Sequence, residues 1–309
     1  MFLLFAAISF CAEPKYEIRG KISPAAAAYI NLHAVKDPFR AEGLADDSGR
    51  FRIKNIPLGS YTVSVQVPGR GEARRTVDIG PAQADSRNRI NLDLNFKESD
   101  FEFKETVRSA STVSLTQLAI PGKAASEYQR AQAEFAKGNF DAGLKRMERA
   151  VEIAPRFATA WNDLGTIRYK RQEYAKAEEC FRRALDADSA SYMPLVNLGG
   201  VLINLGRIEE ALGYNQRAVA ARPSDALANS QLGQTYFRLG QLDNAVKYLE
   251  AAVKLDPGHF SSPQLFLAEI HAQRGEKSLA ADELAAFLKL HPDHPRTDQL
   301  KSAIESLRK

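Results

Sequence analysis

A catalytic or metal centre needs ionisable and nucleophilic side chains brought together, so the histidines, cysteines and carboxylates are the place to start. The five histidines, His33, His259, His271, His291 and His294, are scattered, and no His/Cys set has zinc spacing. His291-Pro292-Asp293-His294 comes nearest to a metal pair, but two such residues in a turn read as solvated side chains. Asp46 and Asp47 precede Ser48-Gly49, where turn formation is a simpler account than calcium. The chain has no G-x-S-x-G elbow, Walker loop or dinucleotide fingerprint, and Pro68-Gly69-Arg70-Gly71 is a turn. Cys11 and Cys180 provide no disulfide framework, and Cys180 reads as a small buried hydrophobe rather than a reactive thiol. No catalytic residue, metal or cofactor is expected. An enzyme with an unrecognised site is the weakest reading.

Binding chemistry has more support, because the second half of the chain repeats itself. Tyr192–Pro223 falls on Ala226–Pro257 after a shift of 34 residues, and 124–155 and 158–189 keep the same frame. Such a period, with small residues at fixed offsets, marks a stacked repeat array. Counted from the start of each repeat, position 8 is Ala131, Gly165, Gly199, Gly233 and Ala268. Position 20 is Gly143, Ala177, Ala211, Ala245 and Ala280. Small side chains there let the two helices of a repeat approach closely. Gly138, Gly206, Gly240 and Gly275 fall between the helices, where a helix end calls for left-handed φ. Pro155, Pro223, Pro257 and Pro292 close second helices, since proline disfavours helix in the preceding residue. Thr297–Leu307 reads as an amphipathic cap, with Leu300, Ile304 and Leu307 facing the array.

These offsets resemble the tetratricopeptide repeat (TPR) pattern W-x-x-L-G-x-x-Y…A…F…A…P, with Trp161 and Leu164-Gly165 in the second repeat. The resemblance implies an all-α TPR superhelix over residues 124–309, about five helix pairs plus a capping helix. It also implies that the first helix of each repeat lines a concave groove. Here that stripe holds Tyr128, Gln132 and Phe135, then Asn162, Thr166, Tyr169 and Lys170. It continues through Val196, Ile203 and Asn204 to Ser230, Gln234, Phe237 and Arg238. Aromatics with amides between them suit an extended peptide or a helix with apolar anchors, so a protein or peptide partner is expected. Packing of the aromatics against neighbouring repeats is an equally weighted alternative. Lysine and asparagine recur too rarely along the stripe for the TPR type that clamps an acidic C-terminus.

Residues 13–97 follow a different period. Tyr16–Ile22 and Tyr29–Val35 alternate, Phe51–Ile53 precedes Tyr61–Val67, and Arg74–Ile79 and Ile90–Leu94 follow. Turn signals at Asp47-Ser48-Gly49, Pro57-Leu58-Gly59 and Pro68-Gly69 separate them, which predicts an all-β antiparallel sandwich. Asp46–Ile53 followed by Ile56–Val63 resembles the carboxypeptidase regulatory-like, transthyretin-like sandwich, with Phe51 and Tyr61 as core aromatics. That family implies no catalytic residue. Arg70, Arg74, Arg75, Arg87 and Arg89 offer an alternative function, a basic edge for an acidic glycan or the cell wall. Charged edge strands more often serve to prevent aggregation.

The fold class expected is therefore multidomain, a β sandwich followed by a TPR superhelix. Residues 98–123 read as a linker, with apolar Val113–Ile120 able to dock on a neighbour. Residues 13–97 hold 14 Lys/Arg against 10 Asp/Glu, and 98–309 hold 28 of each. A neutral helical half argues against nucleic-acid binding. Residues 1–12, MFLLFAAISFCA, are too short to span a bilayer and read as a signal segment, so an exported, periplasmic or secreted protein is expected. A lipid anchor at Cys11 is the alternative, against which Phe10 counts. Together these features lead to a non-enzymatic adaptor of a bacterial cell envelope.

Overall fold

The structure, a computed structural model, describes residues 14–35, 40–101, 120–137 and 139–309. The leader, Cys11 and most of the expected linker lie outside the described residues. Seven described strands form one sheet: β1 (Tyr16–Ser23), β2 (Ala28–Ala34), β3 (Arg40–Ala45), β4 (Arg50–Ile56), β5 (Gly59–Val67), β6 (Gly71–Ile79) and β7 (Arg89–Asn95). Their order is β6-β5-β2-β3-β4-β1-β7. The β3–β4 junction is held by one registered pair, Ala45↔Phe51, and the sheet rolls nearly into a barrel.

The all-antiparallel expectation is corrected at one place. β7 lies parallel to β1, from Glu17↔Arg89 to Ser23↔Asn95, because a crossover through a 3-10 turn at Pro81–Gln83 replaces a hairpin. β3 is absent from the sequence reading because RAEGLA has no β-branched residue. Packing explains its glycine: a Cβ at Gly43 would lie 2.7 Å from the Ile53 side chain on β4.

Inside the roll, Ile18, Ile22, Ile30, Leu32, Ile53, Val63 and Val65 form one core with Phe51 and Tyr61. Each such side chain stabilises the fold by about 1.5–3 kcal/mol on burial. Phe96 and Phe101 join that core from beyond the last strand, so the β unit extends past residue 97. Asp46 is a turn residue. Its Oδ1 accepts from the Ser48 N–H (2.9 Å), the Ser48 hydroxyl (2.6 Å) and the Arg50 N–H (2.9 Å).

The remaining described residues form eleven helices. Five pairs stack in order: α1 (Gly122–Ala136) with α2 (Phe140–Ile153), and α3 (Ala158–Lys170) with α4 (Tyr174–Ala187). Then come α5 (Tyr192–Asn204) with α6 (Ile208–Ala221), α7 (Ala226–Arg238) with α8 (Leu242–Leu255), and α9 (Pro263–Gln273) with α10 (Lys277–Leu290). The cap α11 (Thr297–Leu307) follows, packed on α10. The small residues do the work their spacing implied. A Cβ on Gly165 would sit 2.6 Å from the Phe181 ring of α4, and one on Gly233 would sit 2.7 Å from Leu249 of α8.

The two parts meet along β6. The Thr76 N–H donates to Asp256 Oδ2 at 2.9 Å, and Arg75 donates to the Leu255 carbonyl. Two residues along the strand, Asp78 Oδ2 and His291 Nδ1 share a 2.6 Å hydrogen bond. The Ala82 N–H then donates to Asp293 Oδ2 at 3.2 Å. The outer edge of β6, an open strand edge in the isolated sheet, is thus capped by two inter-repeat turns.

Candidate functional site

The stripe expected to bind a partner lies on α1, α3, α5 and α7, and its members divide by what already holds them. Phe135, Val196, Ile203 and Ser230 are buried. Several polar members bridge one repeat to the next. Tyr128 and Gln132 both donate to Asp163, at 2.7 and 3.1 Å. Asn197 donates to Asn162 at 2.9 Å, and Ser261 donates to Ser230 at 2.7 Å. Thr166 and Gln234 bond within their own helices, to the Asn162 carbonyl and the Ser230 hydroxyl. A ladder of amides and hydroxyls therefore runs along the first helices, set by the 34-residue spacing that brings like positions of successive helices together.

The remaining members lie at the C-terminal ends of three helices. Tyr169 and Lys170 end α3, Asn204 ends α5, and Phe237 and Arg238 end α7. Lys170, Asn204 and Arg238 are exposed, and Tyr169 is 37% exposed. Asn204 donates to the Tyr169 hydroxyl at 2.9 Å and to the Gly200 carbonyl at 3.0 Å, which fixes both side chains in place. Burial raises the Tyr169 phenol above its ordinary value, against the opposing hydrogen bond from Asn204, so it remains a neutral donor at physiological pH. Phe237 stands edge-on to Phe266 of α9, with ring centroids 5.8 Å apart. The apolar floor at Val196, Gly200 and Ile203 is closed from above, since a Cβ on Gly200 would meet Gln231 at 2.5 Å.

A second concavity was not legible in the sequence. Between β6 and the turns before α7 and α9 lies a cleft of about 310 Å³, with Val196 at its inner end. Arg74, Tyr192, Met193, Arg222, Asp256 and Phe260 are among its lining residues. Its chemistry is that of the domain junction. Burial pushes the Asp256 carboxyl up and pushes the neighbouring His259 imidazole down to about 4. At Asp78, burial acts upward, but hydrogen bonds from His291 and Ser60 outweigh it and hold the carboxyl below its usual range.

The histidine turn is also corrected. His291 is buried against β6 rather than solvated, and its ring packs on Phe287 at 4.5 Å. His294 faces the same ring edge-on at 5.1 Å. Among the described residues no group of three or more His, Cys, Asp or Glu is arranged to hold a metal. Burial raises the Cys180 thiol to about 12, so it stays protonated as a core residue. The basic edge is largely committed: Arg70 pairs with Glu98, Arg74 with Glu72, Arg75 with Asp100 and Arg89 with Asp85.

Comparison with known proteins places the helical part. Residues 131–236 match the profile of the cilia and flagella-associated protein 70 middle TPR-like domain, and residues 226–259 match a tetratricopeptide repeat. Residues 131–259 therefore match TPR models, and the stacked helix pairs have a TPR-like arrangement. Anaphase-promoting complex subunit 3 of Schizosaccharomyces pombe is 29% identical over 113 residues, 37% of this chain and 17% of that protein. The structure of PilW, a widely conserved type IV pilus biogenesis factor, matches with a TM-score of 0.52 at 22% identity, covering 60% of this chain and 87% of PilW. MamA from Desulfovibrio magneticus RS-1 matches with a TM-score of 0.51 at 21% identity, covering 57% of this chain and 99% of MamA. At these identities the two structures show the fold alone. The chain spans less than a fifth of the length of the first curated relatives it matches. Among the described residues no helix is long and apolar enough to cross a membrane.

Proposed function

We propose that this protein is a non-enzymatic adaptor of a bacterial cell envelope that binds a peptide or protein segment along the concave side of its repeats. The observation that carries the reading is the strip of Tyr169, Lys170, Asn204, Phe237 and Arg238. It combines two aromatic surfaces with polar side chains across three consecutive first helices. Aromatic anchors and fixed amide donors are what an extended or helical segment needs from a groove. The envelope location rests on the apolar leader alone. The β unit is proposed to be of the carboxypeptidase regulatory-like type, on its Asp46–Val63 pattern and the core positions of Phe51 and Tyr61.

The test places a photoreactive side chain at Tyr169, and separately at Arg183 on the exposed face of α4, in the full chain in its native host. A specific covalent adduct is expected from position 169 and none from 183. The pair Tyr169→Ala with Phe237→Ala is expected to abolish copurification of that adduct's protein. The same protein captured from position 183, or undiminished copurification by the double variant, overturns the groove reading.

A further inference from the structure

The contacts between β6 and the array form a series. The residue that follows each second helix occupies the same place in every repeat: Ala154, Asp188, Arg222, Asp256 and His291. His291 meets Asp78, and Asp256 meets the Thr76 N–H. One repeat back along the array is therefore two residues back along the strand. The next rung of that series brings Arg222 opposite Arg74, two cations, and there the cleft opens.

We propose that this cleft is a binding site for a carboxylate of an acidic partner segment, held by Arg222 and flanked by Arg74. The guanidinium of Arg222 lies 3.9 Å from the centre of the Tyr192 ring, and among the described residues it makes no ion pair. Stacking occupies the face of a guanidinium and leaves its in-plane N–H groups free, the geometry that a planar carboxylate accepts from bidentately. The acids around the cleft are already engaged. Glu72 accepts from Ser64 and Arg74, and Asp100 pairs with Arg75. Asp225 caps α7 through the Ala228 N–H, and Asp256 holds Thr76.

One uncommitted planar fork, with carboxylates close by, matches a monoanion and repels a dianionic phosphate. Met193 and Phe260, 46% and 38% exposed, are lining residues that offer apolar surface to the neighbours of the bound acid. The site depends on both halves of the chain and is independent of the strip at Tyr169 and Phe237.

The full chain, labelled for arginine Nε–Hε detection by NMR, is titrated with four probes. They are the capped peptide Ac-Ala-Leu-Glu-Leu-Ala-amide, its Glu→Gln counterpart, the Gln peptide with a free C-terminus, and inorganic phosphate. Saturable shifts of the Arg222 resonance are expected with a carboxylate-bearing peptide, with at least tenfold weaker binding of the capped Gln peptide. Binding of either carboxylate peptide supports the site, and which of them binds identifies a side-chain or terminal source. Arg222→Gln, followed at the resonance of Arg74 on the other side of the cleft, is expected to lose the binding with an unchanged thermal midpoint, and Tyr169→Ala with Phe237→Ala to retain it. No saturable shift with either carboxylate peptide, equal binding of the capped Gln peptide, tighter binding of phosphate, or full binding by Arg222→Gln overturns the proposal.

Discussion

Asp188 and His291 occupy the same place after a second helix, at φ −148°, ψ 94° and φ −124°, ψ 61°. Asp188 is exposed, and its carboxylate accepts from the nearby Ala190 N–H at 3.2 Å. His291 is buried against β6 and bonded to Asp78. The turn itself is local chemistry, fixed by the end of one helix and the start of the next. What the turn does depends on the one side chain it presents. The array therefore changes from a free edge to a domain anchor at equivalent turns, and Arg222 marks the point of transition.

The largest expected effect separates the two turns directly. His291→Ala leaves the Asp78 carboxylate buried with Ser60 as its remaining hydrogen-bond donor, and breaking a buried pair from one side costs roughly 3–5 kcal/mol. The β unit can escape that penalty by lifting off, so the loss is expected as undocking. Hydrogen exchange at the Thr76 amide, now protected by Asp256, is expected to accelerate sharply. Asp188→Ala is expected to change stability by no more than about 0.5 kcal/mol and to leave Thr76 protected. Equal protection of Thr76 in the two variants would mean that His291 is no anchor.

Acid is expected to act on the docked turns as well. His259 is buried next to Asp256, and its imidazole titrates at about 4 rather than 6.5. A folded-state value below the unfolded one means that stability is fully present above 6.5 and is lost as pH falls toward about 4. By linkage the loss is about 3 kcal/mol. His259→Gln is expected to flatten this part of the stability profile in urea melts between those two pH values. A slope unchanged by the substitution would sink the assignment.

The docked turns also explain which parts of the molecule were legible. The repeat array was readable because its small residues recur at one period and the glycines among them face the other helix of their own repeat, as Gly165 faces Phe181. The rolled sheet was readable where alternation and turn residues coincide, as at Tyr61–Val67. It was not readable at β3, where Gly43 is present for a contact with Ile53 rather than for strand propensity. The domain junction left no local trace. Asp256, His291 and Asp293 are ordinary turn residues until β6 and the 3-10 turn after it, some 180–213 residues earlier, supply the amide or carboxylate they bind. The stripe was located by its period, but the bridges that engage Gln132 and Asn162 depend on how closely the first helices approach.

The smallest expected effect concerns the turn inside the repeats, where the free and the docked halves of the array differ by one residue. Gly206, Gly240 and Gly275 take left-handed φ of 75°, 72° and 76°, whereas the second repeat places Gln172 there at φ 61°. A side chain in that conformation costs roughly 1–2 kcal/mol, and glycine returns about 0.5–1 kcal/mol of it through its greater freedom in the unfolded chain. Gln172→Gly is therefore expected to stabilise the protein by about 0.5–1 kcal/mol, read as a higher urea midpoint at unchanged m. The reverse change, Gly240→Gln, meets no neighbour within 4 Å, so its expected loss of similar size reports backbone strain alone. Should Gly240→Gln prove neutral, the left-handed turn is not under the strain its φ implies, and the second repeat has no local defect to repair.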